Sequence, residues 1–322
     1  MASKELKIPT IVFSKAELKP GTSQWDSTRV QVFQALQEYG CFEAIYDNVV
    51  PSEIRESMFG TLKQIFEFPI ETKLKNLSNK PLQGYLGQIP QLPLYESLSI
   101  SDLLQSQSVE SFVNIFWPHD GNPDFCNVIK SYSKSPVELD EMVKRMVLES
   151  LGLKKYINDH EFLEPNHFYL RFSHYKASKG ENIGNKVGLS GHTDVTVLSI
   201  ISQNQVNGLQ VLNKSGDQWI DVNIAPNSFL VLSGDPFMAW TNGRVHSPIH
   251  RVTMDGDSDR FSIQLSSLPN LDFTIEAPKE LVDDEEQPLL FKPYESVGYF
   301  KYVMSESGKR AGTGVFKAYC GV

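Results

Sequence analysis

The spacing of apolar positions changes about halfway along the chain. In the first half it is helical: Val30, Phe33 and Leu36 mark one amphipathic helix that Gly40 stops, and a second is expected from about Pro51 until Phe68-Pro69 ends it. Ser135-Pro136-Val137-Glu138 combines a capping box with a proline suited to the first helical position. Val143, Met146, Val147 and Leu151 then carry an apolar face up to Gly152, so a helix is expected to begin there. β-Rich runs at residues 8–13 and 41–45 are interleaved with these helices. Residues 77–117 hold Pro, Gly, Ser and Gln with isolated aromatics, which predicts irregular chain crossing an open end of the core.

From about Asn166 the period shortens to that of strands. Runs at residues 167–175, 196–201, 208–212, 218–222, 228–232 and 261–265 are separated by turn residues, with Asn213-Lys214-Ser215-Gly216 as a hairpin connection. Many short strands at near-regular spacing imply a barrel or sandwich, so a mixed α/β chain with a β-rich core is expected. The expected organisation is an N-terminal helical and β region over residues 1–165, a catalytic core over 166–275, and a C-terminal helical segment over 276–322 packing back on the core. No internal repeat is visible, which favours one core with a helical wrap over independent modules.

Composition narrows the class. The chain has 322 residues, 40% hydrophobic and 21% charged, enough to bury a large core. A net charge of -9 with scattered Lys and Arg offers no basic stripe for a phosphate backbone, so nucleic acid is not an expected partner. Residues 1–4 lead into a polar stretch without an apolar leader, and no apolar run reaches about 18 residues, so a cytoplasmic protein without a membrane partner is expected. Cys41, Cys126 and Cys320 are odd in number and far apart, against both a disulfide framework and a CxxC metal site. Cys320, third from the end, does not match a prenylation signal.

The chemistry lies in His192-Thr193-Asp194, His250 and Arg260-Phe261-Ser262. On a strand, residues i and i+2 share a face, so His192 and Asp194 can both point into a barrel while Thr193 points away. A third ligand must come from a distant strand, and His250 is read as the end of a β-run that follows the Asn242-Gly243 turn. Two imidazoles and one carboxylate leave one face of a ferrous ion open, where a bidentate 2-oxoacid and dioxygen can bind together. A lone HxD means little, because single strand histidines are mostly core or surface residues. Arg260 and Ser262 supply the second half of the constellation: a guanidinium fork beside a hydroxyl suits one carboxylate of a dicarboxylic acid. An isolated RFS would instead be read as an arginine paired with Asp257 or Asp259.

Together these segments resemble the plant 2-oxoglutarate/Fe(II)-dependent dioxygenases. The resemblance spans nearly the whole chain, from IPTIVFS through EYGCFEAI and FPIETK to SGDPFMAWTNGRVHSPIHRV; LQGYLGQIP, PLYESL, VESFVNIFWP and AYCGV are most similar to the AOP branch, named for glucosinolate side-chain oxidation. It implies a distorted double-stranded β-helix, jelly-roll or cupin-like, flanked by helices. It also implies iron on His192, Asp194 and His250, with the distal carboxylate of 2-oxoglutarate on Arg260 and Ser262. The family's Arg/Lys-x-Asn-x-Tyr segment matches Arg171 to Tyr175, which makes Tyr175 a further donor to the co-substrate, although Ser173 replaces the usual Asn. His174 falls on the opposite strand face, and His246 is set aside because the family's ligand directly precedes Arg-Val.

The implied reaction consumes 2-oxoglutarate and dioxygen, releases succinate and CO2, and oxidises a small molecule. Hydroxylation is the default; desaturation, dealkylation and ring closure use the same centre. A monomer is expected. Family members commonly carry an aromatic four positions after the Ser of the Arg-x-Ser motif, where this chain has Ser266. An opened pocket, with Phe112, Phe116, Tyr85 and Tyr95 over its mouth, would then take a bulky steroidal or alkaloid skeleton in preference to a slender glucosinolate chain. The competing readings are a cupin-like binding barrel without turnover and an oxygenase with another electron source, like the ethylene-forming amino-acid oxidase. A nicotinamide enzyme is disfavoured because no GxGxxG follows a strand.

Overall fold

The computed structural model describes residues 6–13, 18–46, 50–157, 167–177 and 186–322; the polar opening at residues 1–4 and the expected boundary at 165/166 lie outside them. The first half contributes β1 (Thr10–Val12), α1 (Ser23–Glu38), β2 (Cys41–Ile45), α2 (Ser52–Glu67), α3 (Ile70–Lys73), β3 (Tyr95–Ile100), α4 (Ser108–Phe116) and α5 (Pro123–Ser150). There follow β4 (Phe168–Tyr175), β5 (Lys186–His192), β6 (Leu198–Gln203), β7 (Leu209–Leu212), β8 (Trp219–Asp221), β9 (Ser228–Ser233) and α6 (Asp235–Trp240). The last elements are β10 (His250–Met254), β11 (Arg260–Ser267), β12 (Thr274–Ile275), β13 (Tyr294–Glu295), α7 (Ser296–Met304), α8 (Glu306–Ala311) and α9 (Val315–Cys320).

A seven-stranded sheet ordered β1-β2-β9-β6-β11-β4-β3 and a four-stranded sheet ordered β5-β10-β7-β8 form a double-stranded β-helix. Strand alternation divides the seven-stranded sheet into two environments. On β4, Phe172 meets Phe112 of α4 and His174 stacks on Phe261, so the even-numbered row faces the helices, where the larger core lies. Tyr175 of the odd-numbered row joins Ile201, Leu230 and Leu232 with Val211, Val252 and Met254 of the other sheet in a smaller interior core. Both halves of the chain build the large sheet, β1 and β2 at one end and β3 at the other.

Three expectations about elements are corrected. Ser135-Pro136 does not start a helix: α5 begins at Pro123, where the Asn122 side chain accepts the Phe125 N–H at 3.0 Å, and Pro136 lies inside it. A mid-helix proline forfeits one backbone bond and costs about 3 kcal/mol. The buried stripe of Phe125, Ile129, Tyr132, Leu139, Val143 and Met146 runs through it and offsets that cost. Residues 77–117 are not all irregular but contain β3 and α4. Glu96 and Ser97 hid β3, because their polarity is satisfied inside the protein by Lys73 at 2.7 Å and Arg171 at 2.6 Å. Finally, His250 begins a strand rather than ending one. Asn242 and Gly243, at φ 48° and 76°, follow the end of α6 instead of joining two strands.

Candidate metal centre and substrate cavity

Antiparallel pairing of β5 with β10 sets His192 directly opposite His250. His192 is the last residue of β5, so Asp194 joins it through the turn that follows and not by strand alternation. That turn is held from behind. The Asp235 N–H donates to the Asp194 carbonyl at 2.8 Å, and Gly234 passes so close that a Cβ there would lie 1.8 Å from the Thr196 carbonyl oxygen. Only glycine fits at that crossing.

The three side chains converge. Asp194 Oδ1 lies 3.7 Å from Nε2 of both His192 and His250. Each Nδ1–H donates to a backbone carbonyl, that of Ser190 at 2.8 Å for His192 and that of Pro248 at 3.2 Å for His250. This fixes the tautomer and turns the Nε2 lone pairs towards the carboxylate, so the donor set fits a divalent transition-metal ion. Desolvation within the site, then the adjacent His250, push the His192 imidazole down to about 4, which keeps it neutral and able to ligate. The other carboxylate oxygen, Asp194 Oδ2, accepts Ser199 Oγ–H at 2.5 Å. Among the described residues this is the one group of His, Cys, Asp and Glu able to hold a metal.

Beneath the centre, Asp235 accepts hydroxyls from Thr193 at 2.8 Å, Ser247 at 2.8 Å and Tyr299 at 2.6 Å. Burial raises its carboxyl to about 6, against the lowering effect of those three bonds. One carboxylate thus joins Thr193, between His192 and Asp194, to the segment leading to His250 and to α7.

Along the inner face of β11 the register pairs Arg260 with Tyr175, Ser262 with Ser173, Gln264 with Arg171 and Ser266 with Tyr169. Arg260 is 1% exposed; its Nε and Nη2 both donate to Gln203 Oε1, at 3.2 and 3.0 Å, and Nη1 reaches Ser262 Oγ at 3.4 Å. Its guanidinium lies 5.0 Å from the centre of the Tyr175 ring. A cavity of about 660 Å³ opens over this surface, lined by Tyr95, Tyr169, Arg171, Ser173, Tyr175, His192, Asp194 and Gln264 with apolar side chains of residues 82–92 and of the C-terminal segment.

His192, Asp194 and His250 therefore lie together, and Arg260, Ser262 and Tyr175 form a second group on the inner face of β4 and β11, from which Tyr175 lines the cavity. Of the expected aromatic lining only Tyr95 faces the cavity. Phe112 and Phe116 sit on the helical side, against Phe172 and Phe68, because alternation turns Phe172 away from the interior. Tyr85 is likewise displaced, donating to Glu96 at 3.1 Å behind the sheet. Ser266 shares the inner face but is fully buried beneath Gln264, which donates to its Oγ at 3.0 Å, so this serine opens no room for a steroidal or alkaloid skeleton. His174 bridges Glu96 and Asp259 on the helical side. His246 lines a separate cavity of about 430 Å³ beside Lys214 and Lys317. Sequence reasoning missed Ser199, Gln203 and Asp235, whose partners depend on strand register. Arg171 had a usable signal, the same strand face as Tyr175.

Comparison with known proteins matches residues 166–269 to the 2OG-Fe(II) oxygenase superfamily, and residues 8–119 to a family described as non-haem dioxygenase in morphine synthesis N-terminal. The chain is 40% identical over 312 residues to the probable 2-oxoglutarate-dependent dioxygenase AOP1.2 of Arabidopsis thaliana, covering 96% of this chain and 94% of that protein. The rice dioxygenase for auxin oxidation superposes with a TM-score of 0.80 at 26% identity, over 98% of this chain and 100% of that one. JOX2 in complex with 2OG, Fe and JA gives 0.78 at 25%, over 99% and 90%. Among the described residues no helix is long and apolar enough to cross a membrane.

Proposed function

The chain belongs to the 2OG-Fe(II) oxygenase superfamily, as a plant dioxygenase near the AOP branch, and from that premise we propose that it hydroxylates a small specialised metabolite at a ferrous ion held by His192, Asp194 and His250. Fe(II), 2-oxoglutarate and O2 are its cofactor and co-substrates. The observation that carries the ligand assignment is the pair of Nδ1–H bonds that aims both imidazoles at one carboxylate on a cavity rim.

When bound, iron and co-substrate supply the oxidising chemistry, with 2-oxoglutarate leaving as succinate and CO2. The protein's part is positional. Ser199 holds one oxygen of Asp194, leaving the other for the metal. Gln203 aligns the Arg260 guanidinium, which with Ser262 and Tyr175 receives the distal carboxylate of 2-oxoglutarate. A charge-assisted hydrogen bond from a guanidinium is about twice as strong as a neutral one, so Arg260 anchors that carboxylate more firmly than the two hydroxyls do. The apolar part of the cavity orients the metabolite and excludes water from the reacting face.

Succinate formation tests the reading, with Fe(II) and 2-oxoglutarate each omitted in turn and with a plant metabolite extract screened for masses shifted by one oxygen. Turnover should require both. His192→Ala, Asp194→Ala and His250→Ala should each lower it by about a hundredfold or more, since even residues behind a metal ligand are worth 10–100-fold. His246→Ala should stay active; retained turnover in His250→Ala with loss in His246→Ala would overturn the ligand assignment.

A further inference from the structure

Resting on that oxygenase reading, we propose that Arg171 recognises a carboxylate on the principal substrate, so that the substrate class is a small acid with an apolar body. The Lys and Arg residues buried among the described residues are Lys73, Lys144, Arg171 and Arg260. Two have acids: Lys73 meets Glu96 at 2.7 Å and Lys144 meets Asp140 at 2.7 Å. The two arginines have none among the described residues, and both belong to the inner face of the same strand pair. A buried cation held by neutral groups alone is costly, and an incoming anion relieves that cost.

Arg260 has its anion in the co-substrate. Arg171 stands four residues along β4 from Tyr175, the partner of Arg260, which is roughly 13 Å at strand rise. That separation is too long for one 2-oxoglutarate carboxylate to serve both. The Arg171 side chain is held from behind: Nη1 donates to Ser97 Oγ at 2.6 Å and Nη2 to the Leu82 carbonyl. Its guanidinium lies 5.5 Å from the centre of the Tyr169 ring. These partners are uncharged, and they fix the fork where it lines the cavity together with Tyr95 and Tyr169. A planar fork with fixed backing suits a carboxylate better than a flexible ammonium would. Leu86, Ile89 and Leu92, which line the same cavity, suit the apolar body, whereas a cationic alkaloid would meet a buried like charge.

The test uses full-length protein loaded with Fe(II) and saturating 2-oxoglutarate without oxygen, titrated calorimetrically with phenylacetate, cinnamate and 1-naphthylacetate, each against its methyl ester. At least one acid should bind more than tenfold tighter than its ester. Arg171→Gln should bring that ratio to within twofold, and Arg171→Lys should retain part of it. Partial misfolding of a variant lowers the active fraction for both probes alike and leaves the ratio intact. An unmodified protein that binds no acid better than its ester, or an Arg171→Gln variant that keeps the preference, overturns the proposal. Titration with 2-oxoglutarate alone separates the two readings: failure there sinks the oxygenase reading, whereas tight 2-oxoglutarate binding without an acid preference sinks only this one.

Discussion

At the scale of single residues, the site depends on what stands behind each functional side chain. Arg260 is the clearest case, because Gln203 takes two of its donors and Nη1 lies 3.4 Å from Ser262 Oγ, the hydroxyl proposed to share the co-substrate carboxylate with it. Removing the guanidinium would leave a buried carboxylate without its charged partner, worth about 3–5 kcal/mol when the pair is desolvated. Arg260→Ala should therefore raise the 2-oxoglutarate concentration needed for half-maximal succinate formation by about 10²–10⁴-fold. A rise confined to the metabolite requirement would mean that Arg260 serves the other ligand. What was legible in the sequence was local: His192-Thr193-Asp194 and Arg260-Phe261-Ser262 place donors two residues apart. Gln203 and Ser199 were not legible, because Gln203 faces Ser262 and Ser199 faces Ser266 only through the register of β6 on β11. Ser266 misled for a related reason: the inner face of a strand includes positions covered by a longer neighbour, here Gln264.

At the scale of elements, Asp235 at the start of α6 does what no single strand can. It joins Thr193 after β5, Ser247 before β10 and Tyr299 on α7, so the ligand-bearing segments and the C-terminal helices share one buried acceptor. Asp235→Ala would strand three hydroxyl donors at about 1 kcal/mol each, a loss of about 3 kcal/mol. Melting should fall by roughly 4 °C, and Fe(II) affinity, measured by equilibrium dialysis, by about tenfold or more. A lowered melting temperature with unchanged Fe(II) affinity would reduce Asp235 to a purely structural role. Several helices and strands were visible in their periodicity, since α1, α2, β4, β7, β8, β9 and β11 fall where the apolar runs predict them. Two of the three failures share a cause. The proline inside α5 and the polar residues of β3 break local rules, and only tertiary burial and ion pairing make them acceptable.

At the scale of the whole molecule, the halves of the chain are joined by a polar network as well as by the large sheet. Glu96 on β3 accepts from Lys73 of α3 at 2.7 Å and from Tyr85 at 3.1 Å, and lies 3.2 Å from His174 of β4, which in turn meets Asp259 before β11 at 2.8 Å. Burial alone would raise the Glu96 carboxyl; the hydrogen bonds from His174 and Lys73, the charge of Lys73 and the Tyr85 hydroxyl overcome it and hold it down to about 2, from an ordinary 4.5. The folded protein therefore binds this proton less readily than the unfolded chain does. The stabilisation is complete above about pH 4.5 and is lost as pH falls from there towards 2. Glu96→Gln leaves Lys73 buried without its acid, so at neutral pH it should cost about 3 kcal/mol. Below pH 4.5 the unfolded wild-type chain takes up the proton that folded Glu96 refuses until about pH 2, so the wild-type advantage over the glutamine shrinks. Urea unfolding of both proteins from pH 7 to pH 3 should give a stability gap that is flat at first and narrows only on the acid side. A gap that stays constant to pH 3 would show that the loss in Glu96→Gln comes from packing, and that the charge on Glu96 does not hold the two halves together.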